Sequence, residues 1–327
     1  MSNGSPFQEI EITSFDEFEH TYSDIRKNHR HYETVSRGQA EAVWGLVPSA
    51  FREFSGDEIS VESFKDQIRR EFLDVSYFVK IADVLGFDLP GDLLELLNPI
   101  KFNISKDESF YNWYNTTKNG WKELITIAQH YGVKTRYLDF TFNPYTALFF
   151  AALEVTKKYL DKIPTIPESS NHFSLWVLDK DYLNNSGCTL DHFEVPTARN
   201  KYLNAQKGLF LSPPLPHIYE PEFYSRRIEM VNKKSLDILE VIRENNYHLV
   251  NNGDIELQKR WPIIYKFNFP FQIAPKVIQE LDDNHKINMA TQKPNLENII
   301  PYRQFREKLD EQVSELKDKK VNPDKRP

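Results

Sequence analysis

The segment whose residue types and spacing point most directly to chemistry runs over residues 128–144. Asp139 and Thr141 are two residues apart in an alternating stretch, so a strand places their oxygens on one face, opposite Leu138 and Phe140. Carboxylate and hydroxyl oxygens can exchange hydrogen bonds with the hydroxyl groups of a sugar. The pattern predicts a polar strand face in a ligand site. The alternative is that both side chains only satisfy local backbone groups.

A helix start follows this strand immediately. Asn143 is a favourable N-cap residue and Pro144 a favourable first helical residue. The apolar residues over 147–153 cover most of the helix circumference, which predicts a buried helix. Its N-terminus would present free N–H groups and a partial positive charge, so the sequence predicts a pocket for a phosphate or a ribose beside Asn143.

Charged and titratable residues flank the predicted turn at Gly132. His130 supplies a titratable imidazole and Arg136 a permanent cation. The alternative for His130 is that it ends the preceding helix and bonds its last carbonyls. Earlier in the chain, Arg37 and Gly38 close a predicted strand, where a guanidinium and a bare backbone can approach a ligand closely, although such a pair also occurs in simple turns.

Composition narrows the class of protein. The 327 residues are 40% hydrophobic and 27% charged, which predicts a folded core rather than a disordered chain. The net charge of -7 argues against nonspecific wrapping of nucleic acid by bulk charge. The single cysteine, Cys188, excludes an internal disulfide and a multi-cysteine metal site. We therefore expect a reducing, cytoplasmic location with no membrane segment and no metal.

The order of the helices and strands that must position these residues predicts an α+β fold. Helices are predicted after Ser14 and after Ser105, each of which begins a capping box, and at residues 58–97, 121–129, from Asn143, 275–282 and 302–320. Strands are predicted at residues 31–37, 42–48, 137–142, 173–178, 208–211, 235–242 and 262–267. We expect an N-terminal helix in 1–30, a catalytic or binding domain over 31–301 with a helical insertion at 58–129, and a charged C-terminal helix and tail at 302–327.

Taken together, these motifs resemble the FRG domain family, which is named for an aromatic-Arg-Gly motif. The similarity spans roughly residues 35–301. The matching segments are Arg37-Gly38-Gln39, Trp44 to Ser49, Phe51-Arg52, Gln129 to Gly132, Thr135 to Thr141, Asn143-Pro144, Ala147 to Ala151, Gln206 to Phe210 and the predicted helix after Pro275. The aromatic residue of the motif is replaced by Ser36, which leaves the arginine in place without a stacking ring.

A looser resemblance is to ADP-ribosyltransferases of the Arg–Ser–Glu type, and it implies a split β-sheet core. Arg37 is similar to the arginine that ends their first strand. Asp139 to Ala147 resembles their Ser/Thr-rich strand and following helix. The third element, which carries a catalytic glutamate in those enzymes, falls near Gln206, with Glu194 and Glu220 in its vicinity.

This resemblance implies an NAD-dependent ADP-ribosyltransferase, a bacterial toxin or anti-phage effector that modifies RNA or DNA. NAD is the implied substrate, and an antitoxin-like restraining protein is an implied partner. In the catalytic set, His130 acts on the substrate side, Asp139 positions the ribose and Gln206 holds the acceptor side. The implied NAD-binding residues are Arg37, Gly38, Arg136, Thr141 and Asn143.

Three questions stay open at the level of sequence. A neutral amide at Gln206 bonds a hydroxyl but supplies no charge, so either a carboxylate comes from elsewhere, or His130 or Asp139 carries the chemistry, or the pocket binds without transfer. The corresponding alternatives are an NAD glycohydrolase that uses water and a non-catalytic nucleotide- or partner-binding module. The acceptor, which can be RNA, DNA or protein, is also open: nucleic acid is favoured by basic residues at Arg69-Arg70, Arg199, Lys201, Lys207 and Arg226-Arg227.

Overall fold

The computed structural model describes residues 6–28, 33–87, 89, 119–159, 171–184, 188–194, 208–214, 230–251, 262–294 and 296–321. The strands are β1 (Phe7–Glu11), β2 (Thr34–Gln39), β3 (Glu58–Ser60), β4 (Leu138–Thr141), β5 (His172–Asp179), β6 (Asp191–Glu194), β7 (Gly208–Ser212), β8 (Met230–Asn232) and β9 (Ile264–Pro270). The α-helices are α1 (Phe15–Asn28), α2 (Val61–Val84), α3 (Asn119–His130), α4 (Pro144–Tyr159), α5 (Lys180–Leu183), α6 (Ile238–Asn251), α7 (Ala274–His285), α8 (Met289–Gln292) and α9 (Ile299–Val321).

A seven-stranded sheet, in the order β1-β9-β5-β2-β4-β7-β6, organises the fold. The pair β1–β9 is parallel, and every other pair in this sheet is antiparallel. Strands β3 and β8 form a separate two-stranded sheet. A largely antiparallel sheet with helices packed on it agrees with the predicted α+β class. None of the described helices has the length and apolar character needed to cross a bilayer.

Three apolar clusters hold the helices on the sheet. The first joins α1, α4 and α7 to β5 and β9, through side chains such as Phe18, Leu148 and Phe267. The second packs α2 and α3 against Tyr137 and Phe210. The third fills the opposite side of the sheet beneath α6. All five of those side chains are almost completely buried. One side of the sheet is therefore covered by two separate groups of helices.

The sheet is nearly interrupted between β2 and β4. Strand β2 pairs with β5 along its full length, from Thr34 to Gln39, but with β4 through the single pair Ser36–Thr141. The two edges are thus held close at one point and separate beyond it. Because paired residues of an antiparallel ladder point to the same side, Gly38 and Asp139 face the side where the two helix groups meet.

A close contact between β2 and α4 sets one wall of this gap. A Cβ atom placed on Gly38 would lie 2.0 Å from the carbonyl oxygen of Ala147 and 2.9 Å from the Cβ of Ala151. The obstacle is helix backbone, which has no rotamer to move aside. Only glycine at position 38 lets α4 approach the strand this closely.

Several sequence predictions hold and others are wrong. The helix after Ser14 is confirmed as α1, with Phe15, Phe18 and Tyr22 buried on one face. The segment 42–48, predicted as a strand, is irregular, because its carbonyls do not form a strand ladder. The Gly45 carbonyl accepts from the Gln39 side-chain amide at 3.0 Å, and the Leu46 carbonyl accepts from Ile238 N–H at 3.1 Å.

The strand predicted at residues 235–242 is also wrong. This segment is a 3₁₀ turn over Lys233–Leu236 followed by the start of α6. The Asp237 carboxylate accepts from the N–H of Leu239 at 2.9 Å, and its carbonyl begins the helical ladder with Val241 N–H. A capping aspartate therefore outweighs the β-branched composition that suggested a strand. The capping box predicted at Ser105 lies outside the described residues.

The first prediction concerns the contact of Gly38 with α4. Replacing Gly38 by alanine forces the helix backbone away from β2, and overpacking of this kind costs about 1–3 kcal/mol of unfolding free energy. Chemical denaturation of the full chain measures this loss. The matched control is Gly208→Ala, where a Cβ atom meets the Phe210 ring at 3.4 Å and the Phe140 carbonyl oxygen at 3.7 Å. Equal stability of the two variants would contradict the packing argument.

Candidate functional site

A cavity of about 250 Å³ lies at the gap between β2 and β4. Its walls come from both strands, from β7, from the end of α3 and from one side of α4. The lining residues are Ser36, Arg37, Gly38, His130, Asp139, Phe140, Thr141, Thr146, Ala147, Phe150, Ala151, Glu154, Gly208 and Phe210. Five of the residues predicted from the sequence are among them: Arg37, Gly38, His130, Asp139 and Thr141.

Arg37 bridges the two separated strands. Its Nη1 donates to the backbone carbonyl of Asp139 at 2.8 Å and also to the Asp139 carboxylate. The guanidinium thus replaces the backbone ladder that β2 and β4 do not form beyond Ser36. Its Nε is buried and has no hydrogen-bond partner among the described residues. A buried donor without an acceptor is costly, so this N–H is suited to a ligand oxygen.

Asp139 is the centre of the hydrogen bonding at the cavity. Its Oδ1 accepts from Arg37 and, at 3.4 Å, from the Gln129 amide, while the Gln129 oxygen accepts from the Thr135 hydroxyl. The carboxylate side chain is half exposed. Partial burial raises its pKa, but the Arg37 charge and hydrogen bond outweigh this effect, and the net pKa lies below the ordinary value. Asp139 is therefore ionised at neutral pH.

His130 is the last residue of α3, the position that the alternative interpretation gave it, and it also lines the cavity. Gly132 turns the chain after it with a φ of 96°, a conformation that favours glycine. Burial lowers the pKa of His130, the charge of Asp139 acts against that shift, and Lys293 adds to it. The net lowering makes the imidazole a neutral base at pH 7.

The predicted helix start is present, but its N-cap residue does not line the cavity. The Asn143 side chain caps α4 by accepting from Tyr145 N–H at 3.0 Å, and Asn143 N–H donates to the Thr141 hydroxyl at 3.1 Å. Asn143 is not among the lining residues. The cavity instead follows one side of α4, so the structure does not bring Asn143 to it.

Arg136 lies apart from the cavity, contrary to its assignment as a binding residue. It is fully buried, its Nε lies 3.4 Å from the Glu71 carboxylate, and its backbone N–H donates to Glu71 at 3.0 Å. Glu71 is buried in the middle of α2. Burial raises the pKa of Glu71, and the Arg136 charge acts in the opposite direction. Arg136 therefore joins α2 to the segment before β4 and has a structural role.

The predicted third element is only partly described. Gln206 and Glu220 lie outside the described residues. Glu194 is on β6, where it is ion-paired with Lys180 at 2.7 Å, and it does not line the cavity. Glu194 is therefore not placed to supply the missing carboxylate.

Four further side chains at the site were not predicted. Thr146, Phe150 and Glu154 project from α4 at helical spacing and line the cavity, while Gln129 holds Asp139 from the side. The helical period was visible in the sequence. However, the sequence does not show which side of a largely apolar helix borders a cavity, because that depends on the strand against which the helix packs. Gln129 could have been predicted, because it directly precedes His130 in the segment 129–132 that matches the family motif.

Three basic residues, Arg52, Lys157 and Lys293, act electrostatically on residues of the cavity or on one another. Arg52 donates to the Val47 carbonyl at 3.0 Å. Burial and the nearby charge of Arg37 lower its pKa, whereas Asp139 and Glu154 act to raise it. Lys157 follows Glu154 by three residues on α4, and its pKa is lowered by burial and by Lys293. Cations that repel one another near a cavity favour an anionic ligand.

The second prediction tests the structural role of Arg136. Its replacement by methionine leaves Glu71 buried without its cation, and breaking a buried pair in this way costs about 3–5 kcal/mol. The control is Arg69→Met, which removes an exposed pair with Asp66 one helical turn away, where the cost is below about 1 kcal/mol. Denaturant midpoints of both variants measure the difference. A small effect at Arg136 would contradict its structural role.

Comparison with known proteins gives one match. Residues 96–159 match the family model described as the FRG domain. No curated protein and no solved structure matches the chain. The matched segment includes α3, β4 and α4, and with them His130, Asp139, Thr141 and Glu154; Arg37 lies before it. The match supports the FRG family that the sequence motifs resemble, over the part of the chain that forms most of the cavity wall.

Proposed function

We propose that the protein is an NAD-dependent ADP-ribosyltransferase. The observation that carries the proposal is the convergence of Arg37, Asp139, Thr141 and His130 on one cavity, although the first is about one hundred residues from the others in the chain. Together they offer a fixed cation, an ionised carboxylate, a hydroxyl and a neutral base. This set suits a ligand that carries phosphates and a ribose.

The size of the cavity suggests how NAD binds. Its volume of about 250 Å³ is below the roughly 300–1,000 Å³ of typical ligand sites, so it holds part of a dinucleotide. We assign the nicotinamide ribose to the cavity, with Asp139 and Thr141 beside its hydroxyls. The pyrophosphate lies between Arg37 and Arg52, whose mutual repulsion an anion would relieve.

The proposed reaction breaks one bond and forms another at the ribose C1′ atom. The bond from C1′ to the nicotinamide nitrogen breaks, and its electron pair neutralises the pyridinium as nicotinamide leaves. An acceptor hydroxyl or amine then bonds to C1′ and loses a proton. His130, neutral at pH 7, takes that proton as general base.

The acceptor side of the proposal rests on Lys157 and Lys293. They act on each other electrostatically, and Lys293 also acts on His130, so a positive region adjoins the proposed base. Phosphates of RNA or DNA would be attracted to it. Of the basic residues considered from the sequence, Arg69 is paired with Asp66, and residues 199, 201, 207, 226 and 227 lie outside the described residues. A toxin or anti-phage role with a restraining partner belongs to this same proposal.

A second candidate is a nucleotide-binding module without turnover. The observation in its favour is that Asp139 already neutralises much of the Arg37 charge. NAD glycohydrolysis is the third candidate, in which water replaces the macromolecular acceptor. One experiment distinguishes the three candidates. The full chain is incubated in cell extract with NAD that is labelled in its adenylate and nicotinamide moieties. Label on RNA or DNA supports the transferase. Nicotinamide release without such label supports the glycohydrolase, and saturable binding without release supports the binding module.

The third prediction concerns Arg37. Replacing it by alanine removes charge-assisted hydrogen bonds of about 1.5–3 kcal/mol, so we expect NAD affinity to fall on the order of 10- to 100-fold. Equilibrium titration of NAD measures this change. The control is Arg303→Ala, which removes a highly exposed arginine on α9 that pairs with Glu307. If both variants bind NAD like the unmutated chain, Arg37 does not contact the ligand.

The fourth prediction is a pH profile for transfer. Because the pKa of His130 is lowered from its ordinary value of 6.5, the active neutral form persists at neutral pH and is lost only as the pH falls below that value. We therefore expect a constant rate between about pH 7 and 8 and a decreasing rate in more acidic solution. A His130→Gln variant should be slower and lack this acidic limb. An unchanged limb in that variant would assign the titration to another group.

A further inference from the structure

We infer that Glu154 is the catalytic carboxylate that stabilises the positive charge on the ribose as the nicotinamide bond breaks. This inference rests on the proposed NAD chemistry and adds a residue that the sequence motifs do not identify. Glu154 comes from the side of a helix, not from the strand near Gln206 where the resemblance implied such a group. Three observations support the assignment.

The first observation is position. Glu154 lines the cavity together with Thr146 and Phe150, which precede it by eight and four residues on the same stripe of α4. That stripe is held against the sheet, because Ala147 and Ala151 pack directly on Gly38. The carboxylate is therefore carried by a helix in backbone contact with the strand that also carries Arg37. A site residue on a packed element keeps its position better than one on a loop.

The second observation is the difference between the two carboxylates of the cavity. Asp139 accepts from Arg37 and from Gln129. The Glu154 carboxylate makes no hydrogen bond and no ion pair with any residue that the structure describes, and Glu154 is an exposed residue that lines the cavity. Asp139 is thus occupied in holding β2 and β4 together, whereas the oxygens of Glu154 are available to a ligand.

The third observation is the position of the other candidate carboxylates. Glu71 is buried against Arg136, and Glu194 is paired with Lys180. Neither lines the cavity. Among the described residues, Asp139 and Glu154 are therefore the carboxylates that line it.

The chemistry needs a negative charge at this place. When the bond from C1′ to nitrogen breaks, its electron pair leaves with nicotinamide and the ribose becomes an oxocarbenium ion. A carboxylate beside the ring stabilises that cation more than it stabilises the ground state, and it can accept a hydrogen bond from a ribose hydroxyl. Glu154 is not consumed, and the acceptor proton still goes to His130.

The test compares Glu154→Gln, Glu154→Asp and the control Glu244→Gln on the exposed side of α6. The measurements are nicotinamide release at saturating NAD and NAD affinity by equilibrium titration. Loss of a preorganised charge in the transition state lowers the rate on the order of 10²- to 10³-fold. We expect this loss in Glu154→Gln, with NAD affinity changed less than about threefold, and partial recovery in Glu154→Asp.

Different failures have different meanings. If the unmutated chain releases nicotinamide and Glu154→Gln releases it equally fast, the role of Glu154 is overturned and the proposed function stands. If Asp139→Asn alone abolishes release, Asp139 is the charge-stabilising group instead. If the unmutated chain binds NAD without release in the presence of cell extract, both the proposed function and this role are overturned. Thermal denaturation of each variant identifies a loss of rate that comes from unfolding.

Discussion

The bond from Arg37 to the backbone and side chain of Asp139 is the interaction on which the site depends. Strands β2 and β4 share a single backbone pair, so the sheet would have unpaired edges here without another connection. A guanidinium can donate to a carbonyl and a carboxylate simultaneously, and it spans a wider gap than a backbone ladder. The sheet therefore stays continuous while a cavity opens in it. The same arginine both connects the two strands and lines the cavity with a positive charge.

The charges around this bridge are unevenly satisfied. Asp139 receives hydrogen bonds, whereas the Nε of Arg37 is buried and without an acceptor among the described residues. Arg52 lies close enough to Arg37 for their like charges to matter. Such an arrangement is costly, and an anion that binds there reduces the cost. This imbalance favours a ligand role over a purely structural explanation of Arg37.

Local signals in the sequence predicted much of this arrangement, and long-range packing decided the rest. The alternation around Asp139 and the cap at Asn143 follow from neighbouring residues, so β4 and α4 were predictable. The destination of Arg136 was not, because Glu71 is sixty-five residues away and nothing local indicates that the two are buried together. The segment from Ser235 had strand-like composition, and only the cap at Asp237 indicated the helix that forms.

The position of the cavity along α4 determines which forces act on a ligand. A helix N-terminus attracts anions through free N–H groups, but at α4 the Asn143 side chain already accepts from one of them. The dipole effect also decreases within the first turn, whereas the cavity extends along the side of the helix to Glu154, well beyond it. We therefore propose that selectivity in this cavity depends on side-chain charges, cationic from β2 and anionic from α4. A ligand that carries phosphates at one end and a developing cation at the other would pair its phosphates with the cationic side chain of β2 and its cation with the carboxylate of α4.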